Sequence, residues 1–259
     1  MKKSILILSL LTLVSCTKKE AASTAPASTE AAPQEQNIAK SLENTGTSTI
    51  EGVVQYLGDA PKPGKNPATA MKECQAPASD PNQWALRVKD QKLMNAFVYV
   101  KEGLPFDGYP AAAGAVELDQ KGCAYIPRVL GVQVGQALSI HNSDPTLHNV
   151  HSMAKASPGF NAGMPKKDMS ITKIFEKPEV MMMFKCDVHP WMRAYVGVVP
   201  HPFFAVTKED GSFSIPNLPA GTFTLEIWHE TLGTQPQTVT VTAGEKKTID
   251  VSFPAKPAA

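Results

Sequence analysis

The segment Phe184-Lys185-Cys186-Asp187-Val188-His189-Pro190-Trp191-Met192 sets a thiol, an imidazole and a thioether at C-x2-H-x2-M spacing. A second imidazole lies upstream in Leu147-His148-Asn149-Val150. Two imidazoles, one thiolate and a weak axial thioether are the donors of an electron-transfer copper, because soft sulfur suits Cu(I) and imidazole suits Cu(II). The spacing constrains the fold as well. Cys186 must end a strand and residues 187–191 must turn back over it, while His148 arrives from a neighbouring strand. The candidate ligands of one type 1 copper are therefore His148, Cys186, His189 and Met192.

From about Gly114 to Val199 the chain resembles a cupredoxin of the amicyanin type, whose ligand loop has the same C-x2-H-P-aromatic-M form. Tyr125-Ile126-Pro127 and Val132-Gln133-Val134-Gly135-Gln136 are similar to its opening strand and turn. Asn142-Ser143-Asp144 with His148-Asn149-Val150-His151 resembles its ligand strand, and Met192 to Val199 its final strand. The resemblance implies a Greek-key β-sandwich holding one type 1 copper. It also implies that Asn149 hydrogen-bonds the ligand loop and that His189 is the electron port, exposed through an apolar patch formed by Pro190 and Trp191. Cytochromes or dehydrogenases of the periplasm are the implied partners, met by a monomer.

Met1-Lys2-Lys3 followed by the apolar run Ile5 to Val14 reads as an export signal, too short to span a bilayer. It ends in Leu13-Val14-Ser15-Cys16, which resembles a bacterial lipobox, so residues 1–15 are expected to be removed and Cys16 acylated. The chain is then expected to be held at the membrane by lipid, facing the periplasm or the outer surface. Residues 16–48 are rich in Ala, Ser, Thr and Pro without hydrophobic period, the composition of a tether of about 30 Å r.m.s. span. Of the three remaining cysteines, an oxidising compartment pairs two. Cys186 has the metal-ligand neighbours, which leaves Cys74 and Cys123 as the disulfide; the rival pairing, Cys186 with either, would destroy the copper site.

With 17 Gly and 22 Pro and short alternating runs, the chain past the tether reads as all-β. Residues 210–223, Asp-Gly-Ser-Phe through to Ala-Gly-Thr-Phe, resemble carboxypeptidase regulatory-like, transthyretin-like domains, but the segment is short for that fold. Thr49 to Tyr56 and Asn95 to Val100 are read as its missing strands. The expected organisation is N-terminal strands in 49–110 that join a C-terminal module at 201–259, with the copper domain at 111–200 between them. The alternative is a copper domain carrying extra strands and a partial module.

Other donors read as structural. Strand alternation points His148 and His151 to opposite faces, His141 reads as a strand-end residue, and His201 and His229 sit among strands of the second module. Met181 to Met183 read as core packing on the strand before Cys186, while Met153 to Met169 read as a loop without assigned role. Enzyme motifs are absent: there is no G-x-S-x-G, no phosphate-binding Gly-rich loop and no H-E-x-x-H. A saturated copper has no open position for substrate. A net charge of +1 with interspersed signs gives no footprint for nucleic acid. The expected function is a membrane-tethered carrier of single electrons, not an enzyme. A copper-delivery lipoprotein and a structural or glycan-binding envelope protein are the alternatives.

Overall fold

The computed structural model describes residues 46–255 apart from 63, 75–83 and 106–108. The expected export signal, Cys16 and the part of the expected tether up to residue 45 lie outside the described residues. In chain order the strands are β1 (Ser48–Tyr56), β2 (Val88–Lys89), β3 (Lys92–Leu93), β4 (Phe97–Glu102), β5 (Val116–Gln120) and β6 (Tyr125–Ile126). There follow β7 (Val129–Gln133), β8 (Ala137–Asn142), β9 (His148–Ser152), β10 (Asn161–Met164), β11 (Met169–Ile174) and β12 (Glu179–Lys185). The last are β13 (Arg193–Val199), β14 (Phe204–Val206), β15 (Ser212–Leu218), β16 (Gly221–His229), β17 (Gly233–Val241) and β18 (Lys246–Phe253). Helix is confined, among the described residues, to 3₁₀ turns at Pro67–Ala70 and Lys72–Cys74. The chain is all-β, and no helix among the described residues is long and apolar enough to cross a membrane.

Four sheets stack in four layers. An outer sheet contains β15, β1, β3 and β2, with β18 also on β1. Next to it lies β14-β4-β16-β17, then β10-β9-β12-β13-β7, and last the outer sheet β11-β8-β5-β6. Three apolar layers fill the gaps. The first joins Ile50, Val54, Phe213 and Ile215 to Val98, Leu225 and Ile227. The third joins Leu118, Leu138 and Ile140 to Phe184, Ala194 and Val196 and holds Cys186 and Met192. Between the two sandwiches Phe97, Tyr99, Val129 and Val199 form the joint.

Strands of the middle layers are apolar on both faces, and the sequence shows it. Phe97, Val98, Tyr99 and Val100 are all buried because odd positions face the joint and even ones the first sandwich core. In the outer sheet β1 alternates strictly between buried and half-buried, the pattern of a strand packed on one side only.

The joint is also shaped by two glycines paired across β7 and β13, Gly131 and Gly197. A Cβ on Gly197 would sit 2.5 Å from Phe97 Cζ, and one on Gly131 2.2 Å from Phe204 Cε2. The missing side chains leave the hollow that two phenyl rings fill. Beside it the Arg128 guanidinium donates to both carboxylate oxygens of Glu230, the side chains 5% and 6% exposed. One sandwich supplies each partner of that ion pair.

Strand β1 pairs antiparallel with β15 and parallel with β18, so the first and last described strands share one sheet, and the strands of the other sandwich lie between them in sequence. The segment Asn66–Cys74 departs from the expected division at residue 110. Ala68 and Cys74 are buried in the core between the β10-β9-β12-β13-β7 and β11-β8-β5-β6 sheets, and Met71 packs on it. The expected loop at Met153–Met169 also differs, since it contains β10 and the start of β11. Gly and Lys there do not prevent strand formation, because β10 needs only the edge of β9 to satisfy its backbone.

Candidate metal centre

Strand β12 ends at Lys185 and the chain doubles back at once. Met192 N donates to His189 O at 2.9 Å and Cys186 N to Met192 O at 3.3 Å, which closes residues 186–192 into a tight loop. Strand β9 lies beside β12, with Lys185 opposite His151, and brings His148 to the mouth of that loop. His148 Nδ1, Cys186 Sγ and His189 Nδ1 converge: the ring nitrogens are 2.9 Å apart, and sulfur is 3.8 Å from the His189 nitrogen. All three residues are buried, at 0%, 2% and 1% exposure. Met192 is fully buried in the same core.

Each donor is oriented from behind. The Asp144 carboxylate faces His148 Nε2 at 2.9 Å and accepts from Gly122 N and Cys123 N at 2.8 Å each. That bond fixes the ring so that Nδ1 carries the lone pair toward the site. Asn149 Oδ1 accepts from Asp187 N at 2.7 Å and lies 3.4 Å from Cys186 Sγ. Its Nδ2 reaches Asp187 at 3.0 Å, and His151 Nδ1 meets the same carboxylate from the outer face. Tyr125 Oη donates to Asn149 O at 2.6 Å and holds the strand from the opposite sheet.

Electrostatics favour the ligand forms of Cys186 and His189, while His148 gives up a proton to bind a metal. Burial raises the Cys186 thiol, but the His148 hydrogen bond and the backbone N–H groups of Asn149, His189 and Val188 outweigh it, and the net shift is downward. A thiolate accepting such bonds is the metal-binding form. Asp144 is likewise pushed up by burial and pulled further down by His148, Cys123 and Gly122. His148 is lowered by burial but raised overall by Asp144 and Cys186. Burial, then the charge of His148, hold His189 below the usual imidazole range. Two imidazole nitrogens and a thiolate meeting among buried residues fit a soft-to-borderline metal such as copper.

Cys74 and Cys123 are disulfide-bonded, and Cys186 is the free cysteine of the described residues. The disulfide lies against the centre, with Cys123 Sγ 3.9 Å from His189 Nε2. This alters the expected electron port. His189 was expected at the surface, but it is buried under the disulfide and the Trp191 ring, 5.3 Å away. Trp191 is half-buried and donates from Nε1 to Cys123 O at 3.0 Å, while Pro190 is exposed. Cross-linking the Asn66–Cys74 segment to Cys123 puts extra chain on the imidazole's outer edge, a contact no local pattern in the 184–192 loop announces.

The remaining histidines stand apart from the centre. His141 contacts Ser139, Ser170 and Glu117 on an outer face. His201 is buried with Nε2 on Val100 O at 2.8 Å, and His229 accepts from Thr231 N. Met182 is core, Met164 accepts from Gln120 and Met153 is exposed. The role of Asp144 escaped the sequence reading, although its position four residues before His148 in an Asn-x-Asp turn was the available signal.

The carboxypeptidase regulatory-like domain model matches residues 192–254, from Met192 to just past the end of β18. No curated protein matches the chain. Among solved structures, a Cu(I) amicyanin variant is 26% identical over 39% of this chain and 97% of its own, with a TM-score of 0.30. A second amicyanin variant is 27% identical over the same shares, at 0.31. The copper-containing nitrite reductase of Thermus scotoductus is 19% identical over 38% of this chain and 25% of its own, at 0.30.

Proposed function

We propose that the chain holds one copper ion between His148, Cys186 and His189, with Met192 as axial thioether, and carries single electrons between redox proteins of the cell envelope. The observation that supports this most is the convergence of two imidazole nitrogens and one thiol, all buried, in one pocket. Copper at such a site supplies a one-electron couple. The protein's part is to hold the ligands still. Asp144 fixes the tautomer of His148, Asn149 ties the Cys186 loop to β9, and the closed 186–192 loop keeps sulfur and imidazole in register. A ligand set that moves little on gaining an electron makes transfer fast, and four ligands leave no open position for a substrate. The protein is on this reading not an enzyme.

Trp191 and Pro190 offer a small apolar contact suited to partners that must dissociate quickly. The lipid at Cys16 and the tether after it would hold the carrier at a membrane of the envelope while leaving it room to reach cytochromes or dehydrogenases. A redox titration tests the reading. The copper-loaded chain should show a reversible one-electron couple, and Met192→Leu should shift the potential upward, since the axial thioether is lost. Copper that is bound but shows no reversible couple would point to delivery instead.

A further inference from the structure

His189 has two ring nitrogens, and the proposed copper centre uses one. Nδ1 faces Cys186 and His148, while Nε2 on the far edge meets Cys123 Sγ at 3.9 Å. Cys74 Sγ, Cys123 Sγ and a ring nitrogen of His189 lie within 4.8 Å of one another, all three residues buried. As a disulfide the two sulfurs are poor ligands. As thiolates they would make, with the imidazole, a two-sulfur, one-nitrogen set of the soft kind that selects Cu(I).

The surroundings permit that form. Asn66–Cys74 is hydrogen-bonded within itself, Thr69 N to Asn66 O, Met71 N to Ala68 O and Cys74 N to Met71 O. Most of its residues are exposed, with Asn66, Ala68 and Cys74 facing inward. It can therefore shift by the ångström or two that separates a covalent sulfur pair from two sulfurs on one metal without losing its own bonds. Cys123 stays in place, its N–H on Asp144 and its carbonyl on Trp191.

We propose that Cys74 and Cys123, reduced to thiols, form with His189 Nε2 a second buried soft-metal site, suited to Cu(I), which shares its imidazole with the first. Its formation takes two electrons and two protons from a dithiol protein of the thiol–disulfide oxidoreductase class, which leaves as its own disulfide. Cu(I) then displaces to water the two thiol protons and, where the first copper already holds Nδ1, the His189 Nε2 proton. The oxidoreductase in its disulfide form reverses the exchange: it takes two electrons from the thiolates and two protons from water to become a dithiol, the Cys74–Cys123 bond re-forms, and the metal is freed, still Cu(I), beside the other nitrogen of the same ring. The hand-over, unlike the site, rests on copper being held at Cys186.

The test is an anaerobic Cu(I) titration of the full chain against a chromogenic Cu(I) chelator, before and after reduction by a phosphine that is then removed. The reduced protein should take up one further equivalent, with Cys74 and Cys123 then protected from alkylation. The Cys74→Ser/Cys123→Ser chain should bind the first equivalent and lose the second, with circular dichroism checking its fold. Equal stoichiometry in both redox forms overturns the proposal, as does a pair that resists the phosphine while the protein stays folded. If the first equivalent is absent and the increment on reduction remains, the electron-carrier reading fails and this one stands.

Discussion

Asp144→Asn is the substitution that separates a built metal centre from a chance meeting of donors. The carboxylate satisfies three donors at once: Gly122 N on one oxygen, Cys123 N and His148 Nε2 on the other. An amide of the same shape keeps one oxygen and turns an N–H2 toward a donor. The buried group opposite it is orphaned, at about 1–3 kcal/mol, and the remaining bonds lose their charge assistance. We expect the metal-free chain to lose about 2–4 kcal/mol in urea unfolding near neutral pH. His148 also loses the partner that fixes its tautomer, so copper affinity should fall roughly 10–100-fold in a chelator competition. The sign with pH follows from the depressed carboxyl. Its contribution is present above the ordinary Asp range and vanishes as pH falls through the lowered folded value, so parent and variant should converge in acid. A variant as stable as the parent at neutral pH, with unchanged copper affinity, would refute the argument.

Two further outcomes concern the second sandwich and its joint. Gly197→Val places atoms where Phe97 already lies 2.5 Å from the first added carbon, so denaturation should show a loss of about 1–3 kcal/mol with the copper spectrum unchanged; an unaffected midpoint would mean the joint is loose. His201 and His229 are both held at about 4, His201 by burial and His229 by burial and then the charge of Arg128. Each favours the unfolded state as pH falls from about 6.5 to about 4, by about 3 kcal/mol, so His201→Gln should flatten that part of the stability curve, and an identical curve would contradict it.

The legible parts of the fold were those where one element decides its own pattern. The alternation of β1, and of β16 from Phe223 onward, marks strands with a definite inner face, and the C-x2-H-x2-M spacing closes into a local loop at 186–192. The run Phe97 to Val100 gave a strand but not its place in a middle layer, since burial on both faces depends on which sheet arrives from the other sandwich. The cap over His189 was not legible at all. It requires that a segment more than a hundred residues upstream be pinned by Cys74 onto Cys123, and the cysteine pairing gives the cross-link without saying what lies beneath it. Asp144 sits between these cases: its spacing to His148 is local, but its value comes from Gly122 and Cys123, which belong to another turn.

The central claim is that Cys186 is a copper thiolate, and light absorption tests it most directly. Cu(II) added to the full chain should give an intense visible band from sulfur-to-copper charge transfer at one equivalent. The band should vanish in Cys186→Ser and persist in Trp191→Glu, whose side chain covers His189 and bonds Cys123 but supplies no ligand atom. A colourless protein that still binds copper, or colour retained in Cys186→Ser, would contradict the account.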